Sequence, residues 1–212
     1  MRIKHGCLFL VLLGLTTSHG IGQENIDALA QAAQNGDASA ELQLGDAFRT
    51  GQGAPQDFGE ALKWYRLAAA QGNYAAQGNL GTMYHLGLGV PKDDAQAVKW
   101  YKAPAMQGDP TAEFMLAQIY KQGDDGVKQD LPEALRLFEN GAGAGFGPAV
   151  AALGDLYYNG QGVPQDYRRA MALLLPAASN GYALSQLQVG LMYKSGLGTK
   201  QNLSEATKWI AK

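Results

Sequence analysis

The chain has 212 residues, 46% of them hydrophobic, with one cysteine and a formal net charge of −2. That length and composition suffice to bury a core. A single cysteine excludes a disulfide framework, and the acidic balance argues against a nucleic-acid partner, which would need a basic face.

The first twenty residues stand apart from the rest. Arg2 and Lys4 form a basic start, Cys7 to Leu15 is an apolar run too short to span a bilayer, and Ser18-His19-Gly20 places small residues at −3 and −1 of a cut. This layout predicts a signal peptide over 1–20, cleaved at about Gly20, and a periplasmic or secreted chain with no stable membrane anchor. Cleavage would leave no cysteine, His85 as the single histidine, and fifteen Lys and Arg against nineteen acids, a net charge of −4.

Ile26 to Asn35, closed by Gly36, reads as a lone leading helix. From Ala38 onward the chain repeats. The anchors Leu44-Gly45, Leu80-Gly81, Leu116-Ala117, Leu153-Gly154 and Val189-Gly190 are spaced by 36, 36, 37 and 36 residues. Each is followed at plus three by an aromatic: Phe48, Tyr84, Tyr120, Tyr157 and Tyr193. A fixed period of this size marks a repeat array.

In the first repeat Ala40, Leu44 and Phe48 line one face of a helix. Gly45 beside them lets a neighbouring helix approach closely. Gly51 and Gly53 end the helix, the first as the left-handed residue after the last turn, and Pro55 stiffens the loop. Asp57 with Glu60 three residues later forms a capping box that opens a second helix, whose apolar face is Ala61, Trp64, Tyr65 and Ala68. Gly72 closes it.

The pattern predicts repeats at about 37–72, 73–108, 109–145, 146–181 and 182–212, hence about eleven helices with the leading one. The third carries one extra residue in Gly123-Asp124-Asp125-Gly126-Val127. The fifth stops at Lys212 inside its second helix, which would leave an exposed last repeat free to pair. Pro104, Pro176 and the run Gly141, Gly143, Gly145, Gly147 are expected to kink or loosen the ends of second helices.

The recurring polar residues read as structure. Asp57, Asp93, Asp130 and Asp166 occupy one repeat position, and the first three are followed by Glu60, Gln96 and Glu133; that is helix capping, not a row of catalytic carboxylates. Trp64, Trp100 and Trp209 share one position and fit inter-helix packing. The glycine pairs lack a phosphate-loop ending, and no Gly-x-Ser-x-Gly elbow occurs. No catalytic, cofactor or metal site is expected.

Gly-x-x-Tyr, then Gly-x-Gly-Val, Asp and Ala-x-x-Trp-Tyr at this period resembles the Sel-one-like repeat, a branch of the tetratricopeptide-like superfamily, over residues 25–212. Departures are Ala117 for glycine, the third-repeat insertion, Leu173-Leu174 for Trp-Tyr, and the short last repeat. The resemblance implies an all-α, right-handed α-α superhelix that binds a partner protein on its concave face without catalysis. Exported bacterial relatives include scaffolds and immunity proteins that neutralise type VI secretion phospholipases, so a secreted effector or an envelope component is an implied partner. The rival class is an enzyme, because cysteine-rich relatives are linked to penicillin binding and hydrolysis; this chain lacks their cysteines and a serine-lysine signature. A structural envelope protein binding peptidoglycan is the third alternative.

At 100° per residue, positions minus three, plus one and plus four from the anchor glycine lie opposite the core stripe of each first helix. Read with the resemblance, that face holds the candidate partner-binding residues. Phe114 and Leu187 come from minus three, Gln118 and Asp155 from plus one, and Arg49, His85, Lys121, Tyr158 and Lys194 from plus four. The plus-four column is a ladder of donors in an acidic protein.

Overall fold

The computed structural model describes residues 20–123 and 126–211. The expected signal peptide lies outside the described residues but for Gly20. Among those described there are eleven helices and no strands. They are α1 (Gly20–Gln34), α2 (Ala38–Thr50), α3 (Phe58–Ala70), α4 (Tyr74–Leu86), α5 (Asp94–Met106), α6 (Pro110–Gln122), α7 (Leu131–Gly143), α8 (Gly147–Asn159), α9 (Tyr167–Ser179), α10 (Ala183–Ser195) and α11 (Leu203–Ile210). Each packs chiefly on its neighbours in sequence, so the hairpins α2/α3 to α10/α11 stack as a superhelical solenoid. The leading helix begins at Gly20, earlier than the sequence pattern indicates.

The period has a steric cause. A Cβ on Gly45 would lie 2.6 Å from the ring of Tyr65, and one on Gly81 would lie 2.8 Å from the ring of Tyr101. The anchor glycine is therefore the floor on which the second helix of the same repeat sets its largest buried side chain. Tyr65, Tyr101, Phe138 and Leu174 fill that place in the first four repeats and are at most 1% exposed. Burying one such side chain contributes about 2–3 kcal/mol. Trp64, Trp100 and Trp209 are half-buried against successive core clusters, in the packing role the sequence assigns them.

One residue clamps each turn. The Asp57 carboxylate accepts from the Gly59 and Glu60 backbone amides, while the Asp57 N–H donates to the Phe48 carbonyl at 2.8 Å. The same double attachment occurs at Asp93, Asp130, Asp166 and Asn202, each tied back to the carbonyl of its repeat's aromatic. Capping is thus their role. The reciprocal half of the capping box differs from expectation. Glu60, Glu133 and Glu205 turn outward to pair with Lys63, Arg136 and Lys208 one turn on.

A further clamp escaped the sequence reading. Gln56 donates its side-chain amide to the Arg49 carbonyl, Gln129 to that of Lys121, Gln165 to that of Tyr158 and Gln201 to that of Lys194, all at 2.8–2.9 Å. These satisfy carbonyls that the end of a helix leaves open. The recurring Gln-Asp or Gln-Asn dipeptide was the signal.

The glycine-rich run in the third repeat corrects an expectation. α7 stays helical to Gly143, and Gly141 is buried, with room for a Cβ denied by Ala149 at 2.9 Å. It is a close approach, not a loosened end. Pro104 and Pro176 lie inside α5 and α9, which run on to Met106 and Ser179.

Candidate functional site

Side chains bridge the first helices of neighbouring repeats, from α2 to α4, from α6 to α8 and from α8 to α10. Two carboxylates at the same repeat position anchor this face. Asp46 accepts from the Tyr65 hydroxyl at 2.7 Å and from Asn79 of the next repeat at 3.3 Å, and meets Arg49 at 3.5 Å. Arg49 also donates from Nε to the Tyr65 oxygen at 3.0 Å. Burial opposes the charge on Arg49, yet Tyr65 and Asp46 together hold its pKa above the ordinary value. Burial and the bond to Asp46 push the Tyr65 phenol up despite Arg49.

Asp155 gathers partners from three repeats. Its Oδ1 accepts from Gln188 of α10 and Asn159 of α8, both at 2.7 Å, and Lys121 of α6 approaches its Oδ2 at 3.4 Å. Gln188 is 6% exposed, so this contact is an interior seam, not a surface decoration. Asn79 and Gln188 both lie two residues before their anchor glycine. That position reads Gln43, Asn79, Met115, Ala152 and Gln188, amides in three of the five repeats.

His85 turns aside. Its Nδ1 lies 2.5 Å from Oδ1 of Asp94, a carboxylate 1% exposed at the start of α5, and Lys92 reaches the other oxygen at 3.4 Å. In the fourth repeat the equivalent pair is Tyr158 and Tyr167, edge to face at 5.7 Å. The plus-four side chains therefore do not form one ladder. Arg49, His85 and Tyr158 are bound by groups of their own repeat and Lys121 by Asp155 of the next, partners that a single-helix projection omits. Lys194 alone of the column is exposed, and it makes no hydrogen bond or ion pair from its ammonium group among the described residues.

Phe114, Gln118, Lys121 and Asp155 come together. They line a groove of about 290 Å³ between α6, α8 and α10. Phe114 is half-buried, edge to face with Phe138 and Phe146 at 5.8 Å each, so one side of its ring is core and another is groove wall. Ala151 and Ala152 of α8 form the floor. Leu184, 61% exposed, stands at the rim where the first turn of α10 begins, and Leu187 is 45% exposed one turn further along. Gln118 makes no hydrogen bond from its side chain among the described residues. Leu184 and Gln188 are among the groove residues that sequence reasoning did not name, with Pro148, Ala152 and Tyr182.

Chemically the groove offers an apolar floor, an amide without a partner among the described residues, and a neutralised ion pair at one wall. Among the described residues no group of three or more His, Cys, Asp or Glu could hold a metal, and no helix is long and apolar enough to cross a membrane.

Known proteins agree with this architecture. No curated protein matches the sequence. A protective antigen of uropathogenic Escherichia coli with an SLR fold superposes with a TM-score of 0.82 at 39% identity, over 87% of this chain and 39% of that one. The chain thus spans about two fifths of that protein's length. A Sel1 repeat protein from Oxalobacter formigenes gives 0.78 at 32% identity, over 89% of this chain and 75% of that one. An immunity protein from Pseudomonas aeruginosa shares the fold, with a TM-score of 0.55 at 18% identity, over 90% and 72% of the two chains. The Sel1 repeat model matches residues 38–73, 75–109, 110–146, 147–182 and 183–212. With the glycine–aromatic period, the clamped turns and these matches in agreement, the chain belongs to the Sel1 repeat family.

Proposed function

We propose that the protein is an exported, non-enzymatic scaffold that binds a partner protein on the concave face of its first helices, with the groove between α6, α8 and α10 as the contact centre. The observation that carries this reading is the pairing of an apolar floor at Ala151 and Ala152 with the strongly exposed Leu184 beside it. Exposed leucines next to a preformed groove on a repeat array are the usual anchors of a protein interface. Sel1 repeat proteins in general serve as protein-interaction scaffolds, which supports the class.

The test must spare the core. Phe114 and Lys121 are bound into it, so their replacement would confuse folding with binding. Gln118→Arg combined with Leu184→Glu changes exposed or half-exposed groups only. Partners captured by affinity purification and identified by mass spectrometry should be lost with this variant while the circular dichroism spectrum is unchanged. Retention of the same partners at the same affinity would sink the reading.

A narrower form is neutralisation of a toxic effector, favoured by the fold shared with immunity proteins of Pseudomonas aeruginosa. Coproduction with the product of an adjacent effector gene should then restore growth. Export is checked by N-terminal sequencing of protein from the periplasmic fraction, where a start near Ile21 is expected.

A further inference from the structure

The seam between the second and third repeats differs from the other seams, and three observations converge on it. In four repeats the second loop glycine presses on the start of the preceding repeat's second helix, or on α1 in the first case. A Cβ would lie 2.8 Å from Phe58 at Gly89, 3.1 Å from Leu131 at Gly162, 3.0 Å from Ile26 at Gly53, and against the Tyr167 carbonyl at Gly198. At Gly126 the nearest atom among the described residues is Ala95 Cβ at 3.9 Å. Of the five, this glycine makes the loosest contact.

The second observation is a lost partner. Lys63, Arg136 and Lys208 are each neutralised by a glutamate one turn earlier. Lys99 holds the same repeat position, but the residue one turn earlier is Gln96, so its ammonium has no partner among the described residues. The third is a second lysine without a partner: in the first repeat Arg66 donates to the Tyr84 hydroxyl at 2.9 Å, whereas Lys102, its equivalent, makes no bond among the described residues.

The result is a groove of about 770 Å³ lined by Val98, Val127 and Tyr120 together with Lys99, Lys102 and Lys128, whose ammonium groups have no partner among the described residues. Asp130 at the rim is occupied as the cap of α7; Asp124 and Asp125 lie outside the described residues. Three such ammonium groups beside apolar side chains are complementary to carboxylates flanking an apolar side chain.

We propose that this groove binds an extended acidic segment of a partner protein, at a surface separate from the groove of the first helices. It does not depend on the reading above.

The probe is a fluorescein-labelled peptide of about ten residues alternating glutamate and leucine, titrated by anisotropy against the full chain. Binding is expected, weakening steeply with added salt. Lys99→Gln with Lys102→Gln should weaken it at least about tenfold. Gln96→Glu, which gives Lys99 the partner its equivalents have, should weaken it severalfold with the fold unchanged. The groove variant Gln118→Arg/Leu184→Glu should bind as the wild type does. A peptide that does not bind, or affinity untouched by either lysine-directed variant, overturns the proposal. So does lysine-dependent binding of tripolyphosphate or of phosphatidylglycerol vesicles without binding of the peptide.

Discussion

Asp46 and Asp155 stand at one position of the repeat, yet they do different work. Asp46 is held mostly within its own repeat by Tyr65 and Arg49 and accepts a single long bond from Asn79. Asp155 takes short bonds from Gln188 and Asn159 and pairs with Lys121 of the repeat before. One carboxylate fastens a hairpin; the other fastens three repeats together. Between them the position holds Thr82, whose hydroxyl meets the Tyr101 oxygen at 2.9 Å, and Gln118, which faces the groove. The groove of the first helices thus opens where the polar tie is absent on one side and strongest on the other.

The largest effect expected is at Asp155. Asp155→Ala removes the partner of Gln188, an amide only 6% exposed, and of Lys121, and should cost about 2–3 kcal/mol in urea unfolding. Asp46→Ala leaves the Arg49–Tyr65 bond in place and should cost about 1–2 kcal/mol. Equal losses would erase the distinction between the two hubs.

Alkaline pH sharpens the same comparison. Burial pushes the Tyr101 phenol up to about 12, against the lowering effect of its bond to Thr82, and the Tyr65 phenol is also raised. A tyrosine whose folded pKa is raised gives stability that is complete below the unfolded value of about 10 and is lost as pH rises through the folded value. Stability should therefore fall between about pH 10 and 12, and Tyr101→Phe should flatten that fall by about 1–2 kcal/mol. A variant with the same alkaline slope as the wild type would contradict the assignment. The smallest effect belongs to the turn clamps. Gln165→Ala frees the Tyr158 carbonyl at the end of α8 and should cost about 0.5–1 kcal/mol, read from the urea midpoint.

The glycine and aromatic spacing made the helical hairpins legible, because Gly45, Gly81 and Gly154 each answer one buried side chain in the same repeat. The aspartate caps were legible for a similar reason: donor and acceptor lie within three residues. What stayed hidden was lateral. Whether Lys121 faces solvent depends on Asp155, thirty-four residues away, and a wheel drawn for one helix contains no neighbouring helix. His85 was placed on the outer face by angle, but the aspartate at the start of α5, where other repeats carry an aromatic or leucine, draws it inward. Four of the nine candidate residues nonetheless meet in one groove, because minus three, plus one and plus four share a face once first helices align.

The central claim is that partners bind on the first-helix face. A photo-crosslinking amino acid at Gln118, in the groove, compared with one at the exposed Ala172 of α9, tests it most directly in cells producing the protein. The account predicts a discrete crosslinked partner from position 118 and none from position 172. A partner captured from position 172 and not from 118 would contradict it.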